Sequence, residues 1–397
     1  MTAAKHFPGG CDADTADELC GGLITELRDR GIAANEEADG SALSLFSGSR
    51  APGLVVPRHA GGIGVDGSTA VAVQSALAGV APSVAVATLM HHLSVVTLSD
   101  YIGCYHGHDA EQWELLRAVA ERGMLMASAI SEGRSGAEAL APATTARRSG
   151  DGWIINGSKK PCSLSRSMDL LTCTVSTYNE QGVSLGVSLA VLPAQIPGIT
   201  TADLWTSPVL LAAESHEVRL DDVRASTGMV LPPGPGGNLD ELGLSAWAWF
   251  NVLAAATYLG VAVELTSRAA ESPRNNAAQL GALAAKIYAC RNAVDAAAEH
   301  LVPGGDADAA FTHSVAARAV TEILAPDIAV GAFDLLGGHG LACDPVAPAL
   351  LAASRALRFH PLSSDRSLPV LGEWISGNAP PTELFRSGNH EEDGGRA

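Results

Sequence analysis

Histidines offer this sequence's most visible chemistry. "LMHHLSVVTL" sets His91 and His92 in an otherwise apolar helical stretch, and "SRALRFHPLSSDRS" ends a long Ala/Leu-rich run on His360 and Pro361. An imidazole titrates near neutrality, so it can give or take a proton under ordinary conditions. The same residue on an apolar helix face also serves as a hydrogen-bonded core group, and both readings stand. The remaining histidines make no metal-ligand spacing, and the seven cysteines form no C-x-x-C pair. No metal is expected.

Composition bounds the elements that must position these side chains. The 397 residues are 47% hydrophobic and 5% aromatic, which suits two or three domains rich in close-packed helices. A formal charge of −18 argues against nucleic acid or an anionic membrane as partner. The start, "MTAAKHFPGGCDADTADEL", lacks an apolar signal core, and the most apolar stretch, "NVLAAATYLGVAVEL", meets Glu264 too soon to span a bilayer. With an odd cysteine count that suits reduced thiols, the expectation is a soluble, cytoplasmic protein.

Apolar spacing near three and four predicts helices over 12–32, 68–100 and 109–122. "TARRSGDGWIINGSKK" reads as two strands around a Gly-Asp-Gly turn, then a second turn at Asn156-Gly157. "DLLTCTVST", "VSLGVSLAVL" and "SHEVRLDDVRAS" continue as strands. Past a hinge-like "LPPGPGGN", helices return over about 239–270, 276–302, 308–335 and 345–359, with a last segment near 365–377. The fold class is α+β: an N-terminal helical domain at 1–122, a central β-domain at 123–232, a C-terminal four-helix bundle at 239–378 and a flexible tail at 379–397.

That order resembles the acyl-CoA dehydrogenase superfamily over about 45–378. The anchors are "GLVVPRHAGGIGVDG", "ASAISEGRSGAEA", "DGWIINGSKKPCS", "VRLDDVRAS" and "LLGGHGLACDPVAPALLAASRALR". The resemblance implies a central β-barrel or sandwich, a flavin between it and the C-terminal helices, and a homodimer or homotetramer. It places Ser131 of "AISEG" at the pyrimidine side of the ring and Ser163 of "KKPCS" near N5. Small hydroxyls suit a ring whose edge alternates donors and acceptors. Gly337 and Gly338 of "LLGGHG" match a glycine turn near a neighbour's adenosine, and they read equally as a helix C-cap. Arg274 stands where the family holds the diphosphate, although the usual Phe-Gly after it is absent, and Pro161 replaces the usual tryptophan. FAD and FMN both stay open.

Members of the family remove an acyl α-proton with a glutamate raised in pKa by burial. Here Phe359-His360-Pro361 occupies that place, and the minority position falls on Phe250 or Asn251. The pattern resembles the monooxygenase branch that lacks the glutamate, at His91 or His92, Ser163 and His360. Trp247, Phe250 and Asn251 are the expected substrate wall. The resemblance implies an enzyme that inserts oxygen with reduced flavin from a separate reductase, acting on a carrier-bound acyl group or a specialised small metabolite. Two other readings stand. One is an acyl-thioester dehydrogenase with a displaced base, Asp365 or Glu373; the other is a flavin-poor relative that binds or cyclises a ligand without redox chemistry.

Overall fold

The computed structural model describes residues 13–105, 112–133, 142–233, 241–273 and 275–382. Arg274, most of the "LPPGPGGN" hinge and the tail from 383 lie outside the described residues. The N-terminal helices are α1 (Ala13–Leu19), α2 (Leu23–Arg30), α3 (Ile32–Asn35), α4 (Ser41–Gly48), α5 (Gly67–Val80), α6 (Pro82–Tyr105) and α7 (Trp113–Arg122). The stretch expected as one helix over 68–100 is two. Asp66 caps α5 by accepting from the Thr69 N–H, and Pro82 opens α6 at a position where a missing N–H costs nothing.

The strands are β1 (Met126–Ala129), β2 (Thr145–Ser149), β3 (Gly152–Cys162), β4 (Leu170–Tyr178), β5 (Ser184–Pro193), β6 (Ile199–Ala202), β7 (His216–Ser226) and β8 (Val230–Leu231). They form one curled sheet in the order β6-β7-β3-β2-β4-β5-β8. β1 runs parallel to the first half of β4, and β2 parallel to its last residues. The Gly-Asp-Gly turn joins β2 to β3 as expected from sequence. The second expected turn is absent. β3 runs straight through Asn156-Gly157 with a bulge against β7, because Gly157 (φ 154°) passes so close to Thr144 that a Cβ there would lie 2.5 Å from its Oγ1.

The C-terminal region holds α8 (Glu241–Glu271), α9 (Ala277–Ala298), α10 (Ala307–Cys343), α11 (Ala347–Ala353) and α12 (Ser364–Ile375), with a 3₁₀ turn at Ala356–Phe359. α8 packs on α5 and α6 as well as on α9 and α10, so it joins the two helical regions. α10 extends beyond its expected end through a break at Gly337 (φ 62°, ψ −162°). By length and hydropathy alone α6 and most of α8 could cross a membrane, but 83% and 89% of those windows are buried in the fold. They are core helices.

Gly157→Ala should lower stability by about 2 kcal/mol, from steric conflict with Thr144 in the bulge. Urea unfolding measures it; an unchanged midpoint would show that the bulge absorbs a side chain freely.

Candidate active site

One face of α8 organises the site. Gly243, Trp247, Phe250 and, farther along, Tyr258 recur at helical spacing and so share a side. The first three, with Ala246, meet Leu93, Ser94 and Thr97 of α6, Ser128 and Ile130 at β1, Thr172 and Thr174 of β4, and Leu189 of β5. These residues enclose a cavity of about 110 Å³ with no charged side chain in its wall. The Trp247 and Phe250 rings meet edge to face at 5.7 Å. Thr172 Oγ1 donates to the Ala127 carbonyl, so Ser94 is the donor in the 2.7 Å contact between the two hydroxyls. Thr97 donates to the Leu93 carbonyl. The cavity's hydroxyls are largely matched from within.

Behind Thr174 lies a buried ion pair. Lys159 Nζ donates to Glu132 Oε1 at 2.8 Å and to Thr174 Oγ1 at 3.2 Å. Glu132 also accepts from the Thr144 hydroxyl and from the Ala143 and Thr144 N–H groups. Burial alone would raise the Glu132 pKa, but the Lys159 ammonium and the Thr144 donors outweigh it and hold the carboxyl at about 2.

Beyond Phe250 lies a polar cluster. Arg318 of α10 is 2% exposed. It donates to the carbonyls of Leu357, His360 and Pro361 at 3.3, 2.6 and 2.7 Å, and to Asn251 Oδ1 at 3.0 Å. Asn251 donates in turn to Ser314 Oγ. His360 Nε2 lies 2.7 Å from the Tyr258 hydroxyl, and its ring lies 5.8 Å from that of Phe250. Burial, reinforced by the Arg318 charge, pushes the His360 pKa down to about 3. The near-neutral titration expected of this imidazole is therefore corrected: it stays neutral at ordinary pH. Burial raises the Tyr258 phenol and lowers Arg318 to about 10, so both keep their protons.

The other expected residues divide by place. Ser131 accepts the Lys160 N–H on its carbonyl at 2.8 Å, and Ser163 Oγ lies 3.0 Å from Ser215 Oγ. Both serines are half-buried on the β-domain, Ser131 directly following the cavity residue Ile130. The Ser131 hydroxyl and its adjoining backbone, next to Ile130 of the cavity wall, fit the polar edge of an isoalloxazine. Of the expected substrate wall, Trp247 and Phe250 line the cavity, whereas Asn251 turns to Arg318. His91 uses both nitrogens within the core: Nε2 contacts the Pro52 carbonyl at 2.9 Å, and Nδ1 accepts the Met126 N–H at 3.0 Å. No nitrogen remains for a ligand. His92 is 2% exposed beside Phe46 and His91, and its Nδ1 lacks a partner among the described residues. Neither histidine belongs to the cavity wall. Gly337 forms the break in α10 and Gly338 is exposed beside it, both outside the wall. Asp365 and Glu373 are exposed on α12, so neither is a buried base. Sequence reasoning missed Arg318 and Tyr258. A lone cation inside the apolar run "HSVAARAVTEIL" was the available signal.

Burial holds the native His91 pKa at about 4. The unfolded chain binds a proton there below about pH 6.5, so acid favours unfolding. Between pH 7 and pH 5, His91→Asn should therefore lose about 2 kcal/mol less stability than the parent protein. Unfolding curves at the two pH values give that difference, and equal losses would mean that His91 titrates normally in the fold.

Comparison with known proteins agrees with this architecture. Residues 127–223 match the family Acyl-CoA dehydrogenase, middle domain. The chain is 34% identical over 366 residues to isobutylamine N-hydroxylase of Streptomyces viridifaciens, covering 92% of this chain and 97% of the relative. It is 26% identical over 279 residues to dibenzothiophene monooxygenase of Rhodococcus erythropolis, covering 69% and 64% respectively. Among solved structures, KijD3 in complex with FMN and a dTDP-linked amino sugar superposes with a TM-score of 0.76 at 20% identity, covering 98% of this chain and all of that one. The chain belongs to the acyl-CoA dehydrogenase superfamily and is a flavin-dependent oxidoreductase of its monooxygenase branch.

Proposed function

We propose that this enzyme hydroxylates the nitrogen of a small aliphatic primary amine, using O₂ and reduced flavin. The carrying observation is the uncharged cavity wall, one of whose residues, Phe250, meets the His360 ring. A cavity of about 150 Å³ holds benzene, so about 110 Å³ suits a smaller, branched or short chain. An ammonium ion would lie there without a counter-charge, at a large desolvation cost. The amine is therefore held as its free base, with the lone pair that attacks oxygen available. The similarity to isobutylamine N-hydroxylase supports the same substrate class.

Ser131 and Ser163 hold the flavin ring through their hydroxyls and adjoining backbone. When bound and reduced, the flavin supplies the two electrons that activate O₂. One oxygen atom forms the N–O bond of the hydroxylamine, the other leaves as water, and the flavin is left oxidised. His360 provides a hydrogen bond at the reacting end of the cavity, and Trp247 and Phe250 exclude water from the amine. The acyl-thioester reading rests on Asp365 or Glu373 as its base, and both are exposed.

A separate reductase delivers the reduced flavin, and the enzyme works in the cytoplasm as a homodimer or homotetramer. The support for assembly is apolar exposure on one part of the bundle, with Tyr288 of α9 at 44%, and Ile323 and Val330 of α10 at 70% and 43%. Light scattering at micromolar protein should give at least a dimer; a monodisperse monomer would remove the oligomer.

The substrate test supplies reduced flavin through a reductase and compares short branched amines with thioethers and acyl thioesters. The expected product is a hydroxylamine, formed only with O₂. His360→Ala should lose about 10²–10³-fold in turnover while the fold and flavin binding persist. Oxidation of the acyl thioester without O₂ would overturn the proposal, and full activity in His360→Ala would return that residue to the core.

A further inference from the structure

The Tyr258–His360 contact carries an assignment that depends on the proposed role of His360. Tyr258 is fully buried, and His360 Nε2 is its hydroxyl's partner among the described residues. A phenol that accepted a proton from Nε2 would leave its own O–H buried without an acceptor, at a cost of about 1–3 kcal/mol. Tyr258 is therefore the donor, and Nε2 the acceptor. A neutral imidazole that accepts at Nε2 carries its proton on Nδ1. Nδ1 has no protein partner among the described residues, and it is not among the fully buried unpartnered atoms. It remains available to a ligand. The His360 ring meets Phe250, and Phe250 is cavity wall.

We propose that Tyr258 and Arg318 are positioning residues that lock His360 in its Nδ1–H tautomer and present that N–H as a fixed donor beside Phe250 of the cavity wall. Tyr258 sets the tautomer. Arg318 fixes the backbone through the His360 and Pro361 carbonyls, and its charge opposes a second proton on the ring. The charged or titratable groups around the imidazole are Arg318 and Tyr258, with Glu322 acting on Arg318 from one turn farther along α10. The imidazole is thus a donor that does not switch with pH. In the proposed reaction it would hydrogen-bond to an oxygen atom and steady the charge that develops there.

Two measurements test this without assuming the substrate. In ¹⁵N-histidine spectra of the flavin-free protein, His360, assigned through His360→Ala, should show a protonated Nδ1 and a bare Nε2 from about pH 5 to 8. Tyr258→Phe should relax that preference towards a tautomer mixture, and Arg318→Gln should move the His360 titration upward. A wild-type spectrum with the proton on Nε2, or a Tyr258→Phe spectrum unchanged from wild type, would overturn the assignment. In turnover, Tyr258→Phe should lower kcat by about tenfold, the rate equivalent of one hydrogen bond of ordinary strength, with KM unchanged. Loss of melting temperature with kcat intact would make both residues merely structural and would overturn the positioning role. If His360→Ala is fully active while the tautomer is as assigned, the catalytic reading fails and the structural assignment survives.

Discussion

A guanidinium sealed among helices must have its donors met, and Arg318 meets most of them on one short piece of chain. Removing such a charge from water costs several kcal/mol unless good hydrogen bonds replace the lost solvent. Here three carbonyls and the Asn251 amide supply them to Nη1 and Nη2, while Nε has no partner among the described residues. The carbonyls belong to the turn at 357–361, so satisfying the arginine dictates the path of the backbone that carries His360. The same interaction ties α10 to α8 through Asn251. One buried charge thereby fixes the backbone beneath His360, and together with burial it keeps that ring neutral.

Neutrality is the theme of the site. The cavity wall contributes apolar surface and hydroxyls that mostly bond to one another or to backbone. The Lys159 charge behind Thr174 is matched by Glu132 and buried. Such a space favours an uncharged nucleophile and gives no purchase to proton abstraction from carbon.

Much of the fold was legible because helical spacing and strand alternation report directly on burial. The order of helices, strands and helices came from that kind of signal, whereas Trp247 and Phe250 came from the resemblance to the family. Asn156-Gly157 misled because a glycine at a bulge has the same local sequence as a glycine in a turn; only the approach of Thr144, a tertiary contact, separates them. His91 and His92 misled for a related reason. An imidazole on a helix is the same letter whether it caps two backbone groups or faces a ligand, and His91 does the former. Arg318 and Tyr258 stayed hidden because their importance lies in partners about forty and a hundred residues away along the chain. His360 was identified by what it replaces, but its depressed pKa needed the packing around it.

The claim on which everything else rests is that this enzyme inserts oxygen into its substrate. Turnover under ¹⁸O₂, with reduced flavin supplied and a short branched amine as substrate, tests it most directly. One ¹⁸O atom should appear in the hydroxylamine product by mass spectrometry, and none when the label is instead in the water. A product whose oxygen comes from water, or a desaturated product with no new oxygen, would contradict the account.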